Sequence, residues 1–426
     1  MIDYRHLELR ILLSRRNFLT VGAAGIASTL LPGCSSHDQD GMTEWTSPAS
    51  PNDDTWSDIR REFITTPGVT YMNNASLGMP PRVVAEAVWD GYRALSEDPI
   101  RAKHDLSDAI REEVLPDLAA FLGVDPSEVI LTRNATESLH LAATGLKLRR
   151  GDHVIVTTQE HPAGRQPWRY REAKHGISVS EVFVPSPLED HDSVVARIKG
   201  AITSQTRAIA FCHVTRGGHL YPVKELSTMA REKGIATIVD GAQALGMFPI
   251  DLYSLGCDAY AASLHKWLLA PMGGGMLYIR KGARENWASN YSDVSTKAQP
   301  NYDPPGTSDL PLKAAVGTAL SFVNRIGIDA IEARTRFLSN YLKTRLTEIS
   351  RIQILSGSTT STSAPGSTIF EMEGVDALES VPAMVDAANI HIDEHQRDGH
   401  NAIRISTHYY NSTDDIDRLI SILRSW

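Results

Sequence analysis

Between about residues 120 and 280, short runs rich in β-branched residues alternate with segments of helical periodicity. The predicted strands are EVILTR, HVIVTTQ, SEVFVPS, RAIAFCHVT, IATIVD, AYAAS and GMLYIRK, and the predicted helices between them are SLHLAATGLKL, DSVVARIKGAI and VKELSTMAREKG. Nearly continuous apolar strands separated by helices are typical of a mostly parallel sheet covered on both faces. We therefore predict an α/β fold with a three-layer large domain, in which ligands bind at the carboxyl ends of the strands.

The C-terminal part of the chain has a different pattern. The segment NYDPPGTSDLP precedes two long helical segments, at about 312–326 and 329–349, followed by the strands IQILS, STIFEM, NIHIDEH and AIRIS and a helix over about 413–425. This order favours a smaller α+β domain. We predict an N-terminal segment over 56–80, the large domain over 81–305 and the small domain over 306–426, with a loop at SGSTTSTSAPGS.

Composition excludes several classes of protein. With 42% hydrophobic residues, the 426-residue chain has enough apolar material for a buried core. The formal net charge of −9 offers no basic surface for nucleic acid. The three cysteines, Cys34, Cys212 and Cys257, form no closely spaced pair, which argues against a disulfide scaffold and gives no sign of a metal site.

The first 55 residues have the pattern of an export signal followed by a linker. Residues 14–20, SRRNFLT, followed by the mildly apolar TVGAAGIASTLLPG, resemble a twin-arginine signal peptide over 1–34. A membrane anchor is the alternative, but three glycines and a proline weaken it. The LPGC segment resembles a lipobox with an unusual Pro32, so a lipid anchor at Cys34 and an unmodified thiol both stay open. Residues 35–55 predict a flexible linker, with folding from about Trp56. Because this pathway carries folded proteins, we predict a periplasmic enzyme that binds its cofactor before export.

Two residues at predicted strand ends point to cofactor chemistry. Lys266 follows Ser263 and His265 after the strand AYAAS, and burial of a lysine at such a position lowers its pKa and suits a Schiff base. Asp240 ends the strand IATIVD, where a carboxylate can keep a pyridine nitrogen protonated. Taken singly, a surface lysine and a helix-capping aspartate are the ordinary interpretations. The pair predicts a pyridine cofactor.

A set of segments then resembles one known family. IVDGAQALG, SLHKW with the following GGG, NNASLG, RNATESL, QEHPAG, PPGTSDLP and IRISTHYYN together look like the class V aminotransferases, fold type I pyridoxal phosphate enzymes, from about residue 71 onward. The pattern is similar to the isopenicillin N epimerase-like branch, which includes exported enzymes of pyoverdine maturation. The resemblance implies pyridoxal 5′-phosphate as cofactor, a small-molecule or peptide amine as substrate, and a homodimer with a shared active site.

The resemblance also implies roles for individual residues. Lys266 would carry the cofactor and act as general base, and Asp240 would pair with the pyridinium nitrogen. The other cofactor contacts would be Gln243 at the phenolic oxygen, His161 on the ring face, Ala135, Thr136, Ser263 and His265 at the phosphate, and Thr307 at the phosphate of the neighbouring subunit. The substrate contacts would be Arg404 at the carboxylate and Asn74 near the entrance. For His161 a helix cap is the alternative, and Arg216 is either a second anion contact or a solvated loop residue.

One departure bears on the reaction. The predicted loop DEHQRDGHN before the Arg404 strand contains no cysteine, which argues against a cysteine desulfurase. The family chemistry, through aldimine and quinonoid intermediates, leads to transamination, epimerisation or elimination. We predict transamination or a related change at a primary amine, with the glutamyl group of a secreted siderophore as the more specific substrate. An epimerase, a carbon–sulfur lyase and a non-catalytic binding protein of the same fold remain alternatives.

Overall fold

Strands and helices alternate along the chain, as the sequence pattern predicts. The computed structural model describes residues 45–52, 54–288, 306–357 and 359–426. The strands are β1 (Thr70–Tyr71), β2 (Val129–Thr132), β3 (His153–Thr157), β4 (Ser178–Val182), β5 (Thr206–Cys212), β6 (Ala236–Asp240), β7 (Ala259–Ser263), β8 (Gly275–Ile279), β9 (Ile352–Ile354), β10 (Ser367–Met372), β11 (Ile390–His391), β12 (Asp393–Arg397) and β13 (His400–Ser406). The helices are α1 (Thr55–Arg61), α2 (Arg82–Glu97), α3 (Pro99–Ala109), α4 (Leu115–Phe121), α5 (Ala135–Gly145), α6 (Pro162–His175), α7 (His191–Gly200), α8 (Val223–Glu232), α9 (Leu252–Leu255), α10 (Leu310–Ile326), α11 (Ile328–Leu346), α12 (Ala377–Ala388) and α13 (Thr413–Leu423).

The large sheet has the order β2-β8-β7-β6-β5-β3-β4. Strands β7, β6, β5, β3 and β4 pair in parallel, whereas β8 runs antiparallel to both β7 and β2. Every residue of β3, β6 and β7 is buried, which explains why these runs are apolar without alternation. The predicted mostly parallel sheet is confirmed.

Helices cover both faces of this sheet. Neighbouring residues of β6 belong to different cores: Ile238 packs in the cluster that contains residues of α5 and α6, and Val239 in the cluster that contains residues of α7 and α8. Successive side chains of a strand point to opposite faces, so the two cores lie on opposite sides of the sheet. This confirms the three-layer α/β/α arrangement.

Helix α6 was not predicted from the sequence. Its composition is strongly charged and it contains Pro167, so its apolar periodicity is weak. The end signals are nevertheless present, because Pro162 occupies the first helical position and Gly176 ends the helix in the left-handed conformation, with φ of 70°. End signals alone could have identified this helix.

A second, antiparallel sheet has the order β12-β13-β10-β9. One face packs against α11, α12 and α13 around a core that includes Leu342, Met384 and Leu419. The segment DEHQRDGHN, predicted as a loop after the strand NIHIDEH, instead forms most of the β12–β13 hairpin; the strand prediction is correct for DEH and the loop prediction is wrong for the strand residues that follow it. Asp398 and Gly399, with φ of 55° and 85°, make a two-residue turn that pairs Arg397 with His400. An Asp-Gly turn of this kind aligns the flanking residues as strands.

Helices α10 and α11 follow one another closely. Of the helices that the structure describes, none is by itself long and apolar enough to cross a membrane, and this pair meets the criterion only jointly, with a bend of 76°. The predicted domain boundary at residue 305 lies at the edge of 289–305, outside the described residues. The boundaries at 80 and 305 stay predictions.

The predicted linker contains an ordered anchor. Trp45 is only 8% exposed and packs edge-on against Phe322, with ring centroids 6.0 Å apart. The Arg325 guanidinium lies 4.3 Å from the centre of the Trp45 ring. Packing therefore begins before Trp56, and the prediction of a flexible linker is wrong for residues 45–52. The twin-arginine segment and Cys34 lie outside the described residues.

Candidate active site

The site lies at the carboxyl ends of the central parallel strands. Cys212, Asp240 and Ser263 end β5, β6 and β7, and Cys212 pairs in register with Asp240. All three line a cavity of about 300 Å³. The predicted site residues that also line it are Ala135, Thr136, His161, Arg216, Gln243, Lys266 and Arg404. The fold thus brings together residues from distant parts of the sequence, where open α/β sheets commonly bind ligands.

Lys266 and Asp240 influence each other inside the cavity. Burial lowers the pKa of Lys266 to about 8, against the opposing effect of the Asp240 charge. Burial raises the pKa of Asp240, while the hydrogen bond from the Ala242 N–H (2.9 Å) and the charge of Lys266 lower it. A lysine with this pKa is uncharged in a substantial fraction of molecules near pH 8. It can therefore act as a nucleophile or a base.

The amide of Gln243 has a defined orientation. Its Oε1 accepts a hydrogen bond from the Trp267 indole Nε1–H (2.9 Å), and its Nε2 donates to the Ala75 carbonyl (2.9 Å). An indole nitrogen only donates and a carbonyl only accepts, so the two contacts agree on which atom is nitrogen. The second hydrogen of Nε2 can serve the predicted contact with the cofactor's phenolic oxygen.

The start of α5 supplies the predicted phosphate end of the site. Asn134 caps this helix by accepting from the Glu137 N–H (2.9 Å), and the Ala135 N–H donates to the Ser263 hydroxyl (3.0 Å). The Ser263 hydroxyl keeps its own hydrogen for an anion. A methyl group at Gly275 would lie 2.5 Å from the Asn134 backbone, so glycine allows β8 to approach this helix end closely. Helix N-termini favour phosphate.

Two predicted phosphate contacts lie elsewhere. His265 does not line the cavity, and its Nδ1 donates to the Gly274 carbonyl (2.9 Å). Thr307 is exposed and is also outside the cavity lining, and its contact with the phosphate of a neighbouring subunit stays a prediction.

His161 combines the two interpretations that the sequence left open. It caps α6, with Nδ1 accepting from the Ala163 N–H (3.2 Å), and it lines the cavity. The acceptor role of Nδ1 places the ring hydrogen on Nε2. Desolvation, together with nearby cations of which Lys266 is the strongest, lowers the pKa of His161 to about 4. The ring is neutral at physiological pH, which suits stacking on a flat cofactor.

Glu160 is a member of the site region that the sequence reading passed over. It is 1% exposed, and its Oε1 accepts from the Thr157 hydroxyl (2.6 Å) and the Cys212 N–H (3.1 Å). Burial, with a smaller contribution from the nearby Asp240 charge, raises its pKa to about 8 against the opposing effect of those two hydrogen bonds. Glu160 and Asp240 flank Gly164, where a methyl group would lie 3.4 Å and 4.0 Å from their carboxyl oxygens. The sequence feature that could have identified Glu160 is its position directly before His161 in QEHPAG.

Arg404 reaches the cavity because of strand alternation. Its neighbours Ile403 and Ile405 pack into the core beside α11–α13, so the intervening side chain points away from that core. Arg404 is 2% exposed, and burial lowers its pKa to about 10, which leaves it charged at neutral pH. One guanidinium nitrogen donates to Asp393, which faces it across the β12–β13 pair.

Arg216 is tied to the same hairpin. Its Nη2 donates to the Glu394 side chain (2.7 Å) and to the Glu394 carbonyl (2.8 Å), and lies 3.5 Å from Asp393. Arg216 is therefore a cavity-lining residue in an ion-pair cluster, not a solvated loop residue. Asp393 also lines the cavity, although the sequence reading did not select it.

Asn74 lies next to the site and contacts the backbone of Lys266. It is fully buried, accepts from the Tyr410 hydroxyl (3.0 Å) and donates to the Lys266 carbonyl (3.4 Å). It is not among the cavity-lining residues, whereas the following Ala75 and Ser76 are. The predicted contact of Asn74 with substrate is thus replaced by a bridge between Tyr410 and the Lys266 backbone.

Residues 70–419 match the family described as Aminotransferase class-V. The chain belongs to this family. Among class V relatives, isopenicillin N epimerase of Streptomyces clavuligerus is 28% identical over 389 residues, covering 86% of this chain and 97% of the relative. The same enzyme of Amycolatopsis lactamdurans is 30% identical over 395 residues, with 87% and 98% covered. A probable cysteine desulfurase of Pyrococcus abyssi is 27% identical over 404 residues, with 86% and 96% covered.

A solved structure supports the fold assignment. The structure of a C-DES mutant with glycine covalently linked to the PLP cofactor gives a TM-score of 0.78 at 24% identity, covering 86% of this chain and 99% of that chain. The class V aminotransferase has the fold type I architecture, and its cofactor is pyridoxal phosphate. The residues present fit this group: Asp240 would pair with the pyridine nitrogen, Lys266 with the aldehyde, and Ser263 with the amides that begin α5 would bind the phosphate.

Proposed function

We propose that this class V aminotransferase modifies a primary amine of an amino acid or peptide, and that its reaction is transamination. The observation that carries the proposal is that Lys266 lines one cavity with Asp240 and Arg404, where burial lowers its pKa to about 8. Among the amine, imidazole and thiol groups that line the described cavity, this pKa is the one nearest neutrality. The pKa of His161 is lowered to about 4, and burial raises that of Cys212 well above its usual range.

The arrangement assigns one task to each residue. When bound, the cofactor supplies an aldehyde that condenses with the substrate amine and a ring that accepts the electron pair left at the α-carbon. Asp240 holds a proton at the ring nitrogen, and Arg404 orients the substrate carboxylate. Lys266 would take the α-proton and deliver it, on the same side, to the carbon that carried the cofactor's aldehyde, and water would then release the keto product. A single base on one side suffices for transamination, whereas inversion needs proton delivery on the opposite side as well.

Epimerisation is the second candidate. The observation that favours it is the similarity to two isopenicillin N epimerases over 86% and 87% of this chain. For a cysteine desulfurase, the described residues offer no suitable nucleophile. Cys212 and Cys257 are both buried, and burial raises the pKa of each thiol.

The test is a product assay with the purified holoenzyme. The enzyme is incubated in deuterated buffer with amine donors including glutamate and glutamyl peptides, and keto products are measured by mass spectrometry and α-hydrogen exchange by NMR. A keto product with conversion of the cofactor to its amine form supports transamination. Exchange and racemised substrate without a keto product would replace it by epimerisation. Lys266→Ala is expected to abolish both activities and the covalent cofactor attachment that borohydride reduction traps. Unchanged trapping in this variant would refute the assignment of Lys266.

We also propose a homodimer with a shared site. Thr307 lies outside the cavity of its own chain and is exposed, as a contact to a second subunit requires. On α2, Trp89 and Tyr92 are 65% and 46% exposed, which is unusual for aromatic side chains that meet only water. Light scattering should give a dimer mass, and Thr307→Ala should weaken phosphate binding without changing that mass. A monomeric holoenzyme would refute the proposal.

Export and a glutamyl substrate in a secreted siderophore complete the proposal. The support is the twin-arginine pattern at residues 14–20 and the resemblance to exported enzymes of pyoverdine maturation. Replacing Arg15 and Arg16 together by lysine should retain the protein in the cytoplasmic fraction of its host. Unchanged fractionation would remove the export proposal and leave the chemistry untouched.

A further inference from the structure

Several hydrogen-bond donors of the cavity wall converge on one carboxylate of the protein itself. The Oδ2 atom of Asp393 accepts from the Arg404 guanidinium and the Ser76 hydroxyl (3.2 Å), and the Arg216 guanidinium lies 3.5 Å away. Its Oδ1 accepts from the Glu394 N–H (3.0 Å). Two guanidinium groups and a hydroxyl directed at one oxygen are the partners that a carboxylate ligand requires.

These groups belong to the reaction cavity. Asp393, Ser76, Arg216 and Arg404 all line it together with Lys266. We propose that Asp393 occupies the position of the substrate carboxylate and must leave it when substrate binds, which makes Asp393 a specificity-determining residue. The inference rests on the proposed role of Arg404 in the function above.

Because the charges of this cluster are balanced, substrate binding exchanges one carboxylate for another at Arg404. Arg216 and Arg404 are balanced by Asp393 and Glu394, so no guanidinium charge in the cluster is left uncompensated. An incoming carboxylate replaces an equivalent one at Arg404. The Asp393 side chain, 19% exposed, can turn toward water as it is displaced. The ion pair formed with substrate is therefore largely offset by the one that is broken.

The exchange has a consequence for the class of substrate. A small amino acid whose main anchor is its carboxylate gains little net binding free energy at Arg404. A larger molecule gains from contacts that its remaining part makes at the cavity. Asp393 thus selects for amino groups carried on larger molecules, such as peptides, by weakening the binding of small competitors.

The experiment measures carboxylate binding directly. Propionate, with propionamide as the uncharged control, is titrated into the holoenzyme and into Asp393→Asn, and binding is followed by calorimetry and by the visible absorbance of the cofactor. Asparagine keeps the shape and one acceptor oxygen but removes the charge. We expect Asp393→Asn to bind propionate at least tenfold more tightly, with propionamide unchanged. Glu189→Gln, at a surface ion pair with Arg197 outside the cavity lining, should change propionate binding less than twofold.

Further variants separate the possible failures. Asp393→Ala should tighten propionate binding as Asp393→Asn does, and equal or weaker binding in both variants overturns the inference. Arg404→Ala, alone and combined with Asp393→Asn, should abolish the binding. If Arg404→Ala has no effect in either background, the proposed substrate role of Arg404 fails. If Arg404→Ala weakens binding but neither Asp393 variant strengthens it, only the displacement of Asp393 fails.

Discussion

Glu160 should make the protein less stable as the pH rises, and Glu160→Gln should remove that effect. The pKa of Glu160 is raised from 4.5 to about 8, mainly by burial. Below pH 4.5 the side chain is protonated in both the folded and the unfolded state, so it contributes no difference. Above that pH the unfolded chain releases the proton and the folded chain keeps it. The free energy of unfolding then falls by about 1.4 kcal/mol per pH unit until about pH 8, roughly 5 kcal/mol in all.

The substitution preserves the local geometry. A glutamine Oε1 can still accept from the Thr157 hydroxyl and the Cys212 N–H, the two bonds that Glu160 makes. Its amide has no titrating proton, so the pH-dependent penalty disappears. The free energy of unfolding of Glu160→Gln, relative to that of the wild type, should therefore rise by several kcal/mol between pH 5 and pH 8. The upper limit of this rise is about 4 kcal/mol for three pH units.

The assay is urea unfolding of wild type and variant at pH 5, 6, 7 and 8, and the quantity is the difference between the two proteins at each pH. This difference cancels the effects of the titrating groups that are distant from Glu160, and Asp240 is the near carboxylate that stays coupled to it. Glu189→Gln, at a surface ion pair with Arg197, controls for the loss of one carboxylate. A difference that stays constant from pH 5 to 8, or that decreases, would refute the reasoning.

Other predictions test the helix end and the N-terminal anchor. Gly275→Ala should reduce stability by about 1–3 kcal/mol and weaken cofactor binding, measured by titrating apoprotein with pyridoxal phosphate, because the methyl group would lie 2.5 Å from the Asn134 backbone. Gly200→Ala, with no atom within 4 Å of the added carbon, should leave cofactor binding unchanged, and equal effects of the two would contradict the argument. Trp45→Ala should cost about 3 kcal/mol in urea unfolding through lost packing and the lost contact with Arg325; an effect below about 0.5 kcal/mol would favour a flexible segment.

The cofactor half of the site could be predicted because its signals are local. Lys266, Asp240 and Ser263 lie at or just after the ends of apolar strands, and a parallel sheet brings such ends to one edge. The start of α5 was predicted for the same reason, because helix-capping residues follow a strand directly. Sequence therefore identified both the residues and the edge at which they meet.

The substrate half of the site was harder to predict because it depends on contacts between residues that are not adjacent in the sequence. Asp393 faces Arg404 only through the register of the β12–β13 hairpin, and the polar composition of that segment resembled a loop. The raised pKa of Glu160 results from its burial against β5, and no local sequence pattern predicts that burial. Trp45 lies in a polar segment, and its burial depends on contact with α10, nearly three hundred residues later.

The hairpin turn gives the enzyme a way to change its substrates without changing its chemistry. Asp398 and Gly399 set the register that places Asp393 opposite Arg404. A shift of one residue would pair Glu394 with Arg404 and turn the strand's side chains to the other face. Small insertions or substitutions in this turn would thus rebuild the proposed carboxylate-binding wall and alter the contact of Asp398 with Gln159, without touching Lys266 directly. Selectivity can evolve, or be engineered, as a separate module from the catalytic apparatus.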